Sequence, residues 1–154
     1  MFLRYYTILP IPAERVEGVV LDEPASWMAQ DMVEAERSVE ELLGSVGREA
    51  GEVSLPRFTD LEIGEPTQLG VTSIVPLSWR ASGPDGAYVA LDADLEVASL
   101  GAGAAQLGIS ARYLAPVDET VGTFDARLLH RLIEIVIKAF LDRVAARVEV
   151  VTLV

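Results

Sequence analysis

The chain of 154 residues has no cysteine, a single histidine and a single lysine. Without cysteine there are no disulfides, no thiolate nucleophile, and no Cys-based zinc or iron–sulfur site. One histidine, His130, cannot supply a multi-histidine metal centre, and no metal or cofactor is expected. Basic residues are also scarce: 12 Lys and Arg stand against 24 Asp and Glu, for a formal charge of −12. That balance opposes a sequence-blind grip on nucleic acid, which needs cations to displace counterions. It opposes docking on anionic lipid too. Long apolar runs are missing as well. The stretch from Leu128 to Leu141 carries Glu134 and Lys138 and is too short to span a bilayer. The apolar patch after Arg4 is cut by Pro10 and Pro12 with no cleavage site behind it, so no signal peptide is expected. The expected setting is the cytoplasm.

What is present is enough for one domain. Apolar residues make up 51% and charged residues 23%, a globular composition. A chain of this length can bury roughly two-thirds of its unfolded surface. No repeat, low-complexity run or linker divides it, so residues 1–154 are expected to form a single domain.

The periodicity changes twice along the chain. Residues 2–9, rich in aromatic and β-branched types, predict a first strand stopped by Pro10 and Pro12. A short helix follows, with Val16, Val19 and Val20 on one face. Pro24 opens a longer helix over about 25–46, with Met28, Met32, Ala35, Val39, Leu42 and Val46 forming a narrow apolar seam. From residue 50 the period drops from about 3.6 to 2. Strands are predicted over 52–63, 70–81, 87–98 and 104–114, with turns at Gly64-Glu65-Pro66, at 82–86 and at Gly101-Ala102-Gly103. In the strand 87–98, Val89, Leu91, Ala93, Leu95 and Val97 face one way, and Asp92, Asp94 and Glu96 the other. Short connections predict an antiparallel meander with one dry face. A helix over about 124–148 then closes the chain. Its apolar arc, which includes Leu129, Leu132, Ile133, Val136, Phe140 and Val144, spans roughly two-thirds of the circumference, wider than one core contact needs. It must be covered on two sides, by a curved sheet or by a sheet plus a partner subunit.

This order resembles the START-like, or SRPBCC, helix-grip superfamily, which includes birch-pollen-allergen-like proteins and polyketide cyclases. The patterns VPLSWRA at 75–81, LDADLEVASLG at 91–101 and GTFDARLLHRLIEIVIKAFLDRVAARV at 122–148 look like its bacterial members. The resemblance implies an α+β fold in which an antiparallel sheet wraps around the C-terminal helix, with two helices after strand 1. It implies an apolar pocket between sheet and helix, and no shared catalytic residue.

The candidate site residues follow from parity and helical angle. Val75, Leu77, Trp79, Leu91, Tyr113, Val136 and Phe140 are the expected pocket wall, with Trp27 and Met28 as a gate. Arg143 and Arg147 project toward the apolar arc. They either meet a ligand carboxylate at a pocket mouth or snorkel there and pair with surplus acids. His130 is the one weak catalytic candidate, with Glu134 one turn on as its hydrogen-bond partner, against a structural role at the edge of the arc. Asp92, Asp94 and Glu96 could hold a hard cation, although a solvated face neutralised by Arg112 explains them more simply. Three functions are therefore compared: binding of a small hydrophobic molecule, a cyclase- or dehydratase-type enzyme using His130 or a pocket carboxylate, and a ligand-free interaction subunit or homodimer.

Overall fold

Strict alternation in the middle of the chain sets its sheet. A computed structural model describes residues 1–46, 56–82, 88–114 and 126–153. The strands are β1 (Phe2–Leu9), β2 (Arg57–Ile63), β3 (Thr67–Leu69), β4 (Thr72–Ser82), β5 (Tyr88–Ser99) and β6 (Ala105–Arg112). Their order is β1-β6-β5-β4-β2, with β3 also on β4, and every pairing is antiparallel. β4 and β5 stay in register from Thr72 opposite Ala98 to Ser82 opposite Tyr88. Val89, Leu91, Ala93, Leu95 and Val97 are all buried on one face, as their period of two requires. On the other face Arg112 stands directly opposite Asp92 and forms its ion pair with Asp94, at 3.4 Å across the diagonal.

Two departures from the sequence expectation have local causes. Five strands are predicted and the described residues form six. Gly64-Glu65-Pro66 leads into the short β3, and the chain reverses at Gly70-Val71, where Gly70 takes a φ of +64°. β2 carries a bulge between Thr59 and Glu62, with Asp60 at a φ of +55°. A bulge bends its strand and increases local twist, which turns this edge of the sheet toward the helices. Residues 52–55 of the expected second strand, the turn residues 83–86 and the expected helix start at 124–125 lie outside the described residues.

The helices are α1 (Ala13–Val20), α2 (Met28–Val46), preceded by a 3₁₀ turn at Pro24–Ser26, and α3 (Ala126–Thr152). The wide apolar arc of α3 is buried along its length from Leu129 to Val148. One side of it meets the inner face of the sheet; α1 and α2 cover the other. The arc is thus covered on two sides within one chain. α2 buries Met28, Met32, Ala35 and Val39 as the seam predicts, but Leu42 is exposed. Its inward face also carries two buried acids. Asp31 is held by Arg147 of α3, and the Glu36 carboxylate accepts the Phe58 N–H at 2.9 Å and pairs with Arg57 at 3.3 Å. These contacts fasten α2 to α3 at one point and to the bulged edge strand at the other.

Candidate functional site

The seven expected wall residues come together. Val75, Leu77, Trp79, Leu91, Tyr113, Val136 and Phe140 belong to one buried core. Trp79 lies opposite Leu91, and the register that sets Asp92 against Arg112 carries Leu91 to the level of Tyr113. The three therefore form a row across β4, β5 and the end of β6. Trp79 stacks edge-on against Phe58 and Phe140, with centroids at 6.2 and 5.4 Å. Its Nε1–H is buried and has no hydrogen-bond partner among the described residues. An indole donor stranded among hydrocarbon costs about 1–3 kcal/mol. The expected gate is different: Trp27 and Met28 are both buried, and the Trp27 indole donates to the Asp22 carbonyl at 3.1 Å. They belong to the packed start of α2 rather than to an opening.

At the N-terminal half of α3 a polar chain runs through the wall. His130 Nε2 lies 2.9 Å from Glu134 Oε1, the i to i+4 pair that the sequence predicts. The other ring nitrogen, Nδ1, lies 2.5 Å from the Tyr113 hydroxyl. A carboxylate at Nε2 places the proton of a neutral imidazole there and leaves Nδ1 as an acceptor, so Tyr113 donates to it. Tyr5 of β1 lies near enough to feel the charge of the same Glu134. Burial, and then the Glu134 charge, push the Tyr113 phenol up to about 12; the same two causes raise Tyr5. The result is a hydroxyl held in its protonated form, a base, and a carboxylate that orients the base. Tyr113 is expected from its strand parity to line the wall. Its bond to His130 is not legible in the sequence, because parity gives a facing and no partner.

The remaining ligand-binding candidate lies elsewhere. Arg143 borders a groove of about 540 Å³ lined by α2 and α3, together with Asp31, Ser38, Asp142, Arg147 and Val150. Arg147 holds Asp31 through two bonds, Nε at 3.0 Å and Nη2 at 2.8 Å, and its guanidinium covers the Trp27 ring at 4.7 Å. For Arg147 the pairing expectation therefore holds. Among the described residues Arg143 has no such partner, and its Nε is buried without an acceptor.

No family model matches the chain, and no curated protein matches it. Solved structures do. A conserved protein from Geobacillus kaustophilus aligns over 97% of this chain and 95% of its own, with a TM-score of 0.54 and 12% identity. The Zhui aromatase/cyclase from Streptomyces sp. R1128 aligns over 97% and 93%, at 0.44 and 17%. Ara h 8.0201 aligns over 95% and 98%, at 0.30 and 10%. The fold is the helix grip. At these identities the likeness concerns architecture alone, which is the architecture that the resemblance in the sequence implies.

Within this helix grip, accessible surface is unevenly distributed over the core. Ile133, Val136, Ile137 and Phe140 have none, while Phe58, Tyr113, Leu129 and Leu132 keep between 5 and 8%. Some accessible surface thus remains beside the Tyr113–His130 pair, and none under the middle of α3. Asp92 and Asp94 border a separate groove of about 300 Å³ on the outer sheet face, together with Arg112. Among the described residues no helix is long and apolar enough to cross a membrane.

Proposed function

We propose that this protein binds a small hydrophobic ligand carrying a hydrogen-bond acceptor, held between the sheet and the N-terminal half of α3. The observation that carries the reading is the stranded Trp79 Nε1–H. A carbonyl or ether oxygen placed there would satisfy a donor that the polypeptide leaves unpaired, so a polar-tipped ligand gains more than a pure hydrocarbon. Leu91, Tyr113, Leu129 and Leu132 would flank it. Val136 and Phe140 have no accessible surface, so the ligand enters by displacing side chains rather than by filling an open void. Met28 and Met32 of α2, unbranched and adaptable, are suited to that repacking.

The test uses 2-acetylnaphthalene and methyl decanoate, which offer acceptors without a carboxylate. In a Trp27→Phe background Trp79 is the sole tryptophan, and its emission is expected to change saturably. The melting temperature should rise with ligand by mass action. Absence of both effects across such probes overturns the reading.

A second reading has its own support. The Tyr113–His130–Glu134 chain suits an acid–base enzyme of the cyclase or dehydratase kind: the phenol turns from His130 to hydrogen-bond a bound carbonyl, the freed Nδ1 takes the proton leaving the α-carbon, Glu134 holds the imidazolium, and Nδ1 returns the proton at the end of the step. Proton exchange at the α-carbon of 2-acetylnaphthalene in D₂O, abolished by His130→Gln and by Tyr113→Phe, would support it. Exchange at the solvent rate would exclude it for this ligand class.

A further inference from the structure

We infer that the groove between α2 and α3 is a second binding site, outside the grip, that takes a monoanionic amphiphile with its carboxylate on Arg143. The argument begins with charge. This chain has twice as many acids as bases, yet Arg143 makes no hydrogen bond or ion pair among the described residues. Each of its charged neighbours in the groove is already engaged. Arg147 takes both oxygens of Asp31, and Asp142 faces Lys138 at 3.9 Å. Glu34 of α2 is near enough for its charge to feel Arg143, but its carboxylate is bonded to Arg37 and Gln30.

Arg147 shows what is missing. One helical turn further along the same face of α3, the fold supplies that arginine with a two-pronged carboxylate. At Arg143 it supplies none, and the Nε edge, the one that would share such a carboxylate with a terminal nitrogen, is left without an acceptor. A ligand carboxylate would fill the role that Asp31 fills for Arg147. The rest of the lining selects what hangs from that carboxylate: Ala139, Ala146, Val150 and Val151 form an apolar wall with two of its valines well exposed. The volume of about 540 Å³ falls within the range of roughly 300–1,000 Å³ typical of small-molecule sites. This site is independent of the sheet–helix reading, because none of its lining residues belongs to the Trp79 row.

The experiment titrates decanoate and decan-1-ol, below any micelle threshold, into the whole chain by calorimetry, with amide and indole NMR shifts to locate them. Decanoate is expected to move the amides of 139–151 and to bind roughly tenfold or more tightly than to Arg143→Gln, the worth of a charge-assisted bidentate contact. Decan-1-ol should not distinguish the two proteins. Val150→Trp, a substitution at an exposed position that fills the groove, should weaken both probes without touching the charge. Decanoate affinity within twofold in both variants overturns the proposal. So does a decanoate shift confined to the Trp79 indole, which would support the grip site instead.

Discussion

Replacing Trp79 by phenylalanine isolates the one donor on which the binding proposal stands. The indole is 3% exposed, wedged edge-on between Phe58 and Phe140. Two effects oppose each other on substitution. Loss of the fused ring leaves a void, and at about 24 cal/mol per Å³ an unrelaxed space of about 40 Å³ costs about 1 kcal/mol, to which the lost burial of the removed carbons adds about 1 kcal/mol. Removing an unsatisfied N–H from hydrocarbon returns about 1–3 kcal/mol. The expected net change in the unliganded protein lies within about 1 kcal/mol of zero in either direction, where ordinary aromatic truncations in a core lose several. Urea unfolding followed by far-UV circular dichroism measures it, with an unchanged slope confirming the same unfolding reaction. With ligand present the ranking should invert: the acceptor-bearing probe stabilises wild type more than the variant. A loss of more than about 2 kcal/mol in the unliganded variant would mean that the N–H is satisfied in the native protein, and the reasoning would fail.

Three further outcomes follow from the polar contacts. Asp31 has 6% of its side chain exposed and Arg147 35%, so a double-mutant cycle with Asp31→Asn and Arg147→Met should give a coupling of about 2 kcal/mol, below the value for a fully buried pair; less than about 0.5 would place it with surface pairs. Burial raises the Glu36 carboxyl against the pull of the Phe58 N–H and Arg57, so its contribution is full below the ordinary carboxylate range and is lost as pH rises through the raised value. Glu36→Gln keeps an oxygen for the Phe58 N–H, and its stability relative to wild type should therefore increase from about pH 3 to pH 7 in parallel urea titrations; a flat difference would contradict the burial argument. Tyrosinate absorbance should show one group ionising near 12, Tyr113, with the stability linked to its protonation intact below about pH 10 and lost as pH rises through 12. Glu134→Gln should move that step part of the way back toward 10, since burial is the larger cause and the Glu134 charge the smaller.

The fold was legible where a residue's facing depends only on its own period. Leu91 and Val97 on β5, and Ile133 and Phe140 on α3, are inside because a period of two or of 3.6 leaves them no other face. The short β3 was not legible, because Gly64 and Pro66 are the stronger turn signal and the reversal at Gly70 depends on pairing with β4. The candidate site divides in the same way. His130 and Glu134 share a helix and a spacing, so their contact could be read. Tyr113 reaches His130 across elements, and spacing is silent about that. Arg143 meets a related limit. A helical wheel says that a residue lies toward the apolar arc, but an arc wide enough to need two covers has two boundaries. Arg143 lies on the one that meets α2, and the wheel does not choose between them.

That second cover bears directly on function. A sheet that grips a helix from one side leaves the other side of the helix open, and how that side is closed decides how much space the grip retains. Here α2 closes it with an apolar seam and two buried acids, one fixed to α3 by Arg147 and the other to β2 by the Phe58 amide. Hydrocarbon packing alone would let α2 slide, since apolar contact is non-directional. The two acids give it a register, and a register is what creates the groove beside Arg143 while stacking Met28 and Met32 against the core. The same placement thus narrows the space inside the grip and opens one outside it. Loosening the Asp31–Arg147 contact should therefore act on both at once, easing entry to the Trp79 row and deforming the Arg143 groove. Opposite effects of Asp31→Asn on the binding of 2-acetylnaphthalene and of decanoate would be the signature of that linkage, and equal effects on the two would show that α2 does not couple them.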